Sequence, residues 1–232
     1  MSGIKNWDKS LRPREKALNY GISSLSDCEL LALILRCGNK GKDAISLATD
    51  ILNQCSGISG LMKLSLNEMV KLKGIGLAKS CELKASMELV KRVSYNDLLE
   101  SDTLKNPHKI VSWLQKYIGN AEQEFFVVIF LNNRNVVVGY SELFKGTGKE
   151  VSFSVKNIFS QAIKCGAEKI IMAHNHPSQF VSPSLADDSA TKEIVEAGEL
   201  MDIPLVDHII ISYNDYYSYR EKGVLQKFEN ML

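Results

Sequence analysis

Lys169-Ile170-Ile171-Met172-Ala173-His174-Asn175-His176-Pro177-Ser178, followed by Ser182-Pro183-Ser184-Leu185-Ala186-Asp187, is the stretch that decides the fold. Lys169 to Ala173 reads as a short buried strand. Ser182-Pro183 starts a helix that runs to about Leu200, with proline suited to the first turn. Strand, loop and helix in that order form one arm of an α/β domain. Alternate residues of a strand share a face, so His174 and His176, at the strand's end, can point to one side. Asp187 falls in the first turns of the helix, where a carboxylate is electrostatically favoured. Two imidazoles and a carboxylate suit Zn²⁺ and leave one coordination position open, and an open zinc site is a hydrolytic one. The competing reading is a pair of unrelated loop histidines and a capping aspartate. The fixed spacing, the strand-end placement and a total of only four histidines favour the metal. One zinc ion per chain is therefore expected.

Working outward, Glu124 to Leu131 is a strand rich in β-branched and aromatic residues, and Arg134 to Tyr140 is a second, after an Asn132-Asn133 turn. Pro107 opens a helix to about Ile118, Ser154 to Cys165 is helical, and Leu205 to Ser212 is a further strand. This alternation predicts a mixed α/β domain over residues 107–232. The polar run 94–106 reads as a linker ending at Asn106-Pro107. Residues 1–93 read as a helical domain. Ser26-Asp27-Cys28-Glu29 is a helix start, Asp43 to Cys55 has helical spacing, Ser65 caps a short helix, and Leu77 to Val93 is a long one. No β-rich run precedes residue 120.

The net charge of +1 hides an asymmetry. Residues 1–93 carry 15 Lys/Arg against 9 Asp/Glu, a net of +6, and the remainder carries 13 against 18, a net of −5. The basic half suits a polyanion, or is simply a solvated helical surface. Gly74-Ile75-Gly76 between helices reads as the hairpin of a helix-hairpin-helix element, flanked by Lys73 and Lys79. Glycines let backbone N–H groups approach a phosphate at a helix start. DNA contacts through Lys73, Gly74, Gly76 and Lys79 would be independent of sequence and sensitive to salt; a turn used only for packing is the other reading. Five dispersed cysteines without a CxxC pair argue for reduced thiols. No apolar run reaches the length of a membrane span and Met1 to Lys9 is polar, so a soluble cytoplasmic protein is expected, with no membrane partner. The oligomeric state is not legible.

A hydrolytic zinc site also needs a base and a partner for the oxyanion. Glu122, Glu124 and Glu142 are the carboxylates available before or between the early strands, and Glu124 sits at the mouth of the first. Ser184 either hydrogen-bonds the oxyanion or caps the helix in a Ser-x-x-Asp box with Asp187. His208 beside Asp207 reads as a buried structural histidine ahead of a supporting or substrate-contacting group. His108 has no evident chemistry.

At these residues the chain resembles the RadC family, whose C-terminal half is a JAB/MPN-type (JAMM) metalloprotease-like domain. The pattern is a distant Glu, then HxH, ten residues and Asp, with Ser three before the Asp: Glu124, His174, His176, Ser184 and Asp187. Arg12-Pro13-Arg14-Glu15-Lys16, Lys73 to Lys79, Glu196-Ala197-Gly198-Glu199-Leu200 and Asp207-His208-Ile209-Ile210 also look like RadC. The resemblance implies a helical N-terminal domain followed by a mixed-sheet, cytidine-deaminase-like α/β domain. It implies His174, His176 and Asp187 as zinc ligands, Glu124 as base, and cleavage of a peptide or isopeptide bond in a peptide or protein substrate. Gln179 stands where the family usually has Gly, with Phe180 after it, and Ser154-Val155 stands where it often has His-Pro. The competing functions are a DNA-repair-associated DNA-binding protein or nuclease, and a metal-free domain that only binds a partner. A single triad without a carboxylate cluster for a two-metal site favours an amide over a phosphodiester.

Overall fold

The computed structural model describes residues 7–39, 41–145 and 154–230. The chain divides into two compact units, residues 1–89 and 90–232. The first contains α1 (Pro13–Tyr20), α2 (Asp27–Leu35), α3 (Ala44–Gln54), α4 (Ile58–Lys63), α5 (Leu66–Lys71) and the start of α6 (Leu77–Leu99). Caps written in the sequence set the helix starts. Ser26 and Glu29, and likewise Ser65 and Glu68, exchange hydrogen bonds as capping boxes, and the Asp43 carboxylate accepts from Ser46 N at 2.8 Å. Residues at helical spacing, among them Leu31, Leu35, Leu47, Ile51, Leu61, Met69 and Leu83, close one apolar core.

The segment 94–106, expected to be a linker, begins as helix: α6 continues to Leu99. Its polar residues mask an anchored pattern, for Leu98, Ser101 and Thr103 are buried, and Leu98 packs in the core of the second unit. Thr103 Oγ1 and N both donate to the Asn135 carbonyl, at 2.8 and 2.9 Å.

The second unit adds α7 (Pro107–Tyr117), β1 (Phe125–Leu131), β2 (Val137–Lys145), α8 (Val155–Cys165), β3 (Lys169–Asn175), α9 (Leu185–Met201), β4 (Leu205–Ile211), β5 (Tyr216–Ser218) and α10 (Leu225–Glu229). The sheet order is β2-β1-β3-β4-β5, with β3 and β4 parallel and the other pairs antiparallel. Because side chains alternate, β1 feeds two cores. Phe126, Val128 and Phe130 join Met172, Ile158 of α8 and Ile194 of α9, whereas Val127, Ile129 and Leu131 join Ala173 and Trp113 of α7. This is a helix–sheet–helix sandwich, as the alternating elements predict.

Several boundaries differ from the sequence reading, and β2 also runs past the expected Tyr140 to Lys145. β2 begins at Val137 rather than Arg134, because the Asn132 carboxamide accepts from Arg134 N and Val136 N and Asn135 is left-handed, which spends residues 132–136 on the turn. α9 begins after Ser184, two residues later than expected, so Pro183 lies outside the helix and Ser184 is the cap. β3 extends through Asn175, which carries His174 inside the strand. Among the described residues no helix is long and apolar enough to cross a membrane.

Candidate metal centre

β3, the loop after it and the start of α9 bring three ligand-bearing side chains together. His174 Nε2 lies 3.0 Å from His176 Nε2 and 3.2 Å from Asp187 Oδ1, and His176 Nε2 lies 3.6 Å from Asp187 Oδ2. His174 is wholly buried, while His176 and Asp187 keep a small opening to solvent. Among the described residues this is the one group of three such side chains whose ligand atoms all lie within 4.8 Å. Burial alone would raise the Asp187 carboxyl, but the imidazoles of His174 and His176 hold it far below the usual carboxylate range. The Asp187 carboxylate in turn raises the proton affinity of His176 against its burial, with the Phe180 carbonyl and the charge of Glu124 adding to it. His176 Nδ1 donates to Phe180 O at 2.6 Å, which leaves Nε2 as the atom facing Asp187. The centre is rich in lone pairs and demands positive charge, from a proton or a cation. Its donor set of two imidazole nitrogens and one carboxylate is the kind zinc takes in sites with an open position.

Asp187 has a second task. Its Oδ2 accepts from Ser184 N and Ser184 Oγ, each at 2.7 Å, and Ser184 Oγ accepts from Asp187 N at 3.2 Å. The Ser-x-x-Asp capping box is therefore formed, with the Ser184 hydroxyl directed at Asp187.

Glu124 lies just before β1, partly buried. The antiparallel β1–β3 register pairs Phe126 with His174, and Glu124, two residues before Phe126, lies close enough for its charge to act on His176. The backbone here is held by Asn175, which sequence reasoning passed over. Its Oδ1 accepts from Phe125 N at 2.7 Å, and its Nδ2 donates to the carbonyls of Gln123 and Ala121 at 3.1 and 3.3 Å. Asn175 points to the opposite face from the two histidines, as strand alternation requires, and clamps the segment that carries Glu124. Glu142 is engaged elsewhere, accepting from the Tyr117 hydroxyl, and Glu122 is exposed.

Two further side chains were missed or under-read. His208 on β4 is fully buried and also touches the triad: its Nε2 lies 2.9 Å from His174 Nδ1, and its Nδ1 lies 2.7 Å from Thr191 Oγ1 of α9. Burial holds it neutral, well below the usual imidazole range. Only the Asp207-His208 dipeptide hinted at this, because the contact depends on the pairing of β3 with β4. Gln179, left-handed at φ 66°, uses its side chain as a clip: Nε2 donates to Gly119 O at 3.4 Å and Oε1 accepts from Tyr213 N at 2.9 Å. Phe180 beside it is exposed.

In the first unit the four expected DNA contacts separate. Lys73 and Gly76 are exposed. Gly74, at φ 93°, packs against Asn39 and Leu47, and Lys79 Nζ donates to the carbonyls of Cys37 and Gly38 at 2.8 and 3.3 Å.

A mixed five-stranded sheet between helices, with this triad at the end of one strand, defines an α/β domain of JAB type. Residues 104–224 match the family model of the RadC-like JAB domain, and residues 4–81 match that of the UPF0758 N-terminal region. The first match spans more than half of the chain, which belongs to the RadC family.

Proposed function

We propose that the second unit is a zinc-dependent hydrolase of JAMM type acting on an amide bond, in a peptide or isopeptide substrate. His174, His176 and Asp187 would be the ligands of one zinc ion per chain, Glu124 the base and Ser184 a donor to the oxyanion. The observation that supports this reading is Glu124 at the head of β1, close enough for its charge to act on His176 yet outside the group of His174, His176 and Asp187. A carboxylate so placed can serve a proton rather than the metal. When bound, zinc supplies Lewis-acid polarisation of the scissile carbonyl and of water. Glu124 takes a proton from the attacking water and delivers it to the departing amine nitrogen. His176 and Asp187 keep the mouth of the site open to solvent. Ser184 serves the oxyanion by turning its hydroxyl from Asp187 toward substrate. The lone triad, with no second such group among the described residues, favours an amide over a phosphodiester.

In the same reading the first unit is a DNA-binding module, a helix-hairpin-helix, supported by a net of +4 over residues 1–89 (13 Lys/Arg against 9 Asp/Glu) and by the exposure of Lys73 and Gly76 beside the start of α6.

The test pairs elemental analysis with cleavage of peptide libraries and of DNA. Wild type should hold about one zinc per chain, and the His174→Ala/His176→Ala double variant should fold without it. Glu124→Gln should keep the metal and lose peptide turnover, whereas Glu142→Gln should keep both. A folded wild type that takes up no zinc under metal-replete conditions refutes the site, and loss of turnover in Glu142→Gln alone refutes the choice of base.

A further inference from the structure

We infer that Thr191 and His208 form a proton-directing relay that fixes the tautomer of His174, so that its Nε2 presents a bare lone pair to the metal. The inference rests on the metal reading above, but its argument is one of donors and acceptors.

The relay starts at a carbonyl. Thr191 Oγ1 lies 2.6 Å from Asp187 O, one helical turn before it in α9. A carbonyl oxygen only accepts, so the Thr191 hydroxyl spends its single proton there. Toward His208 Nδ1, at 2.7 Å, Thr191 Oγ1 can then only accept, and His208 must carry its proton on Nδ1. His208 is fully buried, stacked on the Tyr219 ring and tilted against Phe126. Among the described residues no carboxylate hydrogen-bonds it, so it is a neutral ring with one proton. Its Nε2 is therefore an acceptor, and His174 Nδ1, at 2.9 Å, must donate to it. With its Nδ1 proton committed to His208, His174 can present Nε2, the atom that faces His176 and Asp187, to a cation as a lone pair. His176 reaches the same state by the simpler route of donating from Nδ1 to the Phe180 carbonyl. Both imidazoles thus offer Nε2, one held by a backbone carbonyl directly and one through two intermediate side chains.

The chain of bonds runs from His174 through His208 and Thr191 to the carbonyl of Asp187, the residue whose carboxylate also faces His174 Nε2. It therefore ties β3, β4 and the start of α9 to one another at the ligand atoms. Without the Thr191 hydroxyl, His208 Nδ1–H would be a buried donor with no acceptor. The ring would escape by moving its proton to Nε2. His174 Nδ1 would then have to accept, and the His174 proton would move onto the ligand nitrogen. Thr191 and His208 are positioning residues in this scheme, for neither faces the open side of the centre.

Long-range ¹H–¹⁵N correlation of the imidazoles in the full-length, metal-free protein reads the tautomers directly. Wild type should show His174 and His208 protonated on Nδ1. Thr191→Val, of near-identical shape, should move the His174 proton to Nε2 and weaken zinc binding by roughly 10–100-fold, the range seen when such supporting partners are removed. Thr191→Ser restores the hydroxyl and should return both properties. Metal-free thermal unfolding of each variant separates a folding defect from the tautomer change. A wild-type His174 with no proton on Nδ1 overturns the relay without need of any variant, as does a Thr191→Val protein that binds zinc as tightly as wild type. Wild type that shows the expected tautomers but takes up no zinc would refute the metal reading and leave the relay standing.

Discussion

The two glycines of the Gly74-Ile75-Gly76 turn separate packing from ligand contact in the first unit. Gly74 sits at φ 93°, and a Cβ there would lie 2.5 Å from Asn39 Nδ2 and 2.6 Å from Leu47 Cδ1. Alanine at Gly74 would thus meet left-handed strain of about 1–2 kcal/mol and crowding of about 1–3 kcal/mol, together roughly 2–5 kcal/mol. Gly76 has no positive φ and a Cβ there meets nothing within 4 Å, while its carbonyl accepts the first bond of α6 from Ser80 N. Gly76→Ala should therefore cost no more than about 1 kcal/mol, the effect of a poorer helix cap. Hydrogen exchange in the full-length chain reads the difference at Ile75, whose amide donates to Leu72 O at 3.1 Å, and at Leu83 in the core. Gly74→Ala should lower protection there by at least about 30-fold, and Gly76→Ala by less than about fivefold, at roughly 1.4 kcal/mol per decade. If the hairpin also approaches phosphates, Gly76→Ala should weaken DNA binding with protection nearly intact, because the added methyl occupies space a phosphate would use. Gly74→Ala with wild-type protection would refute the packing argument, and unchanged, salt-independent DNA binding by Gly76→Ala would refute the ligand argument.

Other perturbations follow from the second unit. Asn175→Ala removes three bonds that hold residues 121–125, so it should cost roughly 2–4 kcal/mol and lower turnover while zinc is retained; metal loss in parallel with turnover would show that Asn175 supports the triad rather than Glu124. Ser184→Ala should destabilise the protein by about 1 kcal/mol through the lost cap, and steady-state kinetics then decide its catalytic part: an unchanged kcat confines Ser184 to capping. Burial raises the Asp207 carboxyl to about 6 from the ordinary 3.8, against the Ser218 hydroxyl and Arg220 amide that bond it. The folded state thus holds that proton more tightly than the unfolded chain. The stability this contributes is complete below about 3.8 and is lost as pH rises through about 6, a change of roughly 3 kcal/mol. Urea unfolding of Asp207→Asn should lack that decline, and identical pH profiles would refute it.

The parts legible in the sequence are those encoded by local spacing. Glu124 to Leu131 announced a buried strand through composition, and Ser26 and Ser65 announced helix starts through their side chains. The triad was legible because two of its members lie two residues apart at the end of one strand and the third lies in the next helix. What escaped depends on pairing between distant segments. Nothing local says that His208, paired with Met172 across the parallel ladder, reaches His174 with its ring, or that Asn175 reaches back fifty residues to hold Phe125 N. The expected linker failed for another reason: one buried leucine, Leu98, outweighs the polar residues around it in keeping α6 helical to Leu99.

The double duty of Asp187 bears on how members of such a family should be read. One carboxylate closes the helix cap with Ser184 and also faces the two imidazoles. A descendant that had abandoned its chemistry would still lose a helix start if it replaced this residue. Folding alone thus protects the aspartate from drift, and its presence testifies weakly to a working enzyme. Among the described residues His176 closes no such cap and bonds one loop carbonyl, so under the proposed zinc reading it would be free to mutate once a metal is no longer needed. In comparing relatives, the second histidine is the sensitive witness of retained activity, and the aspartate is the last of the three to disappear.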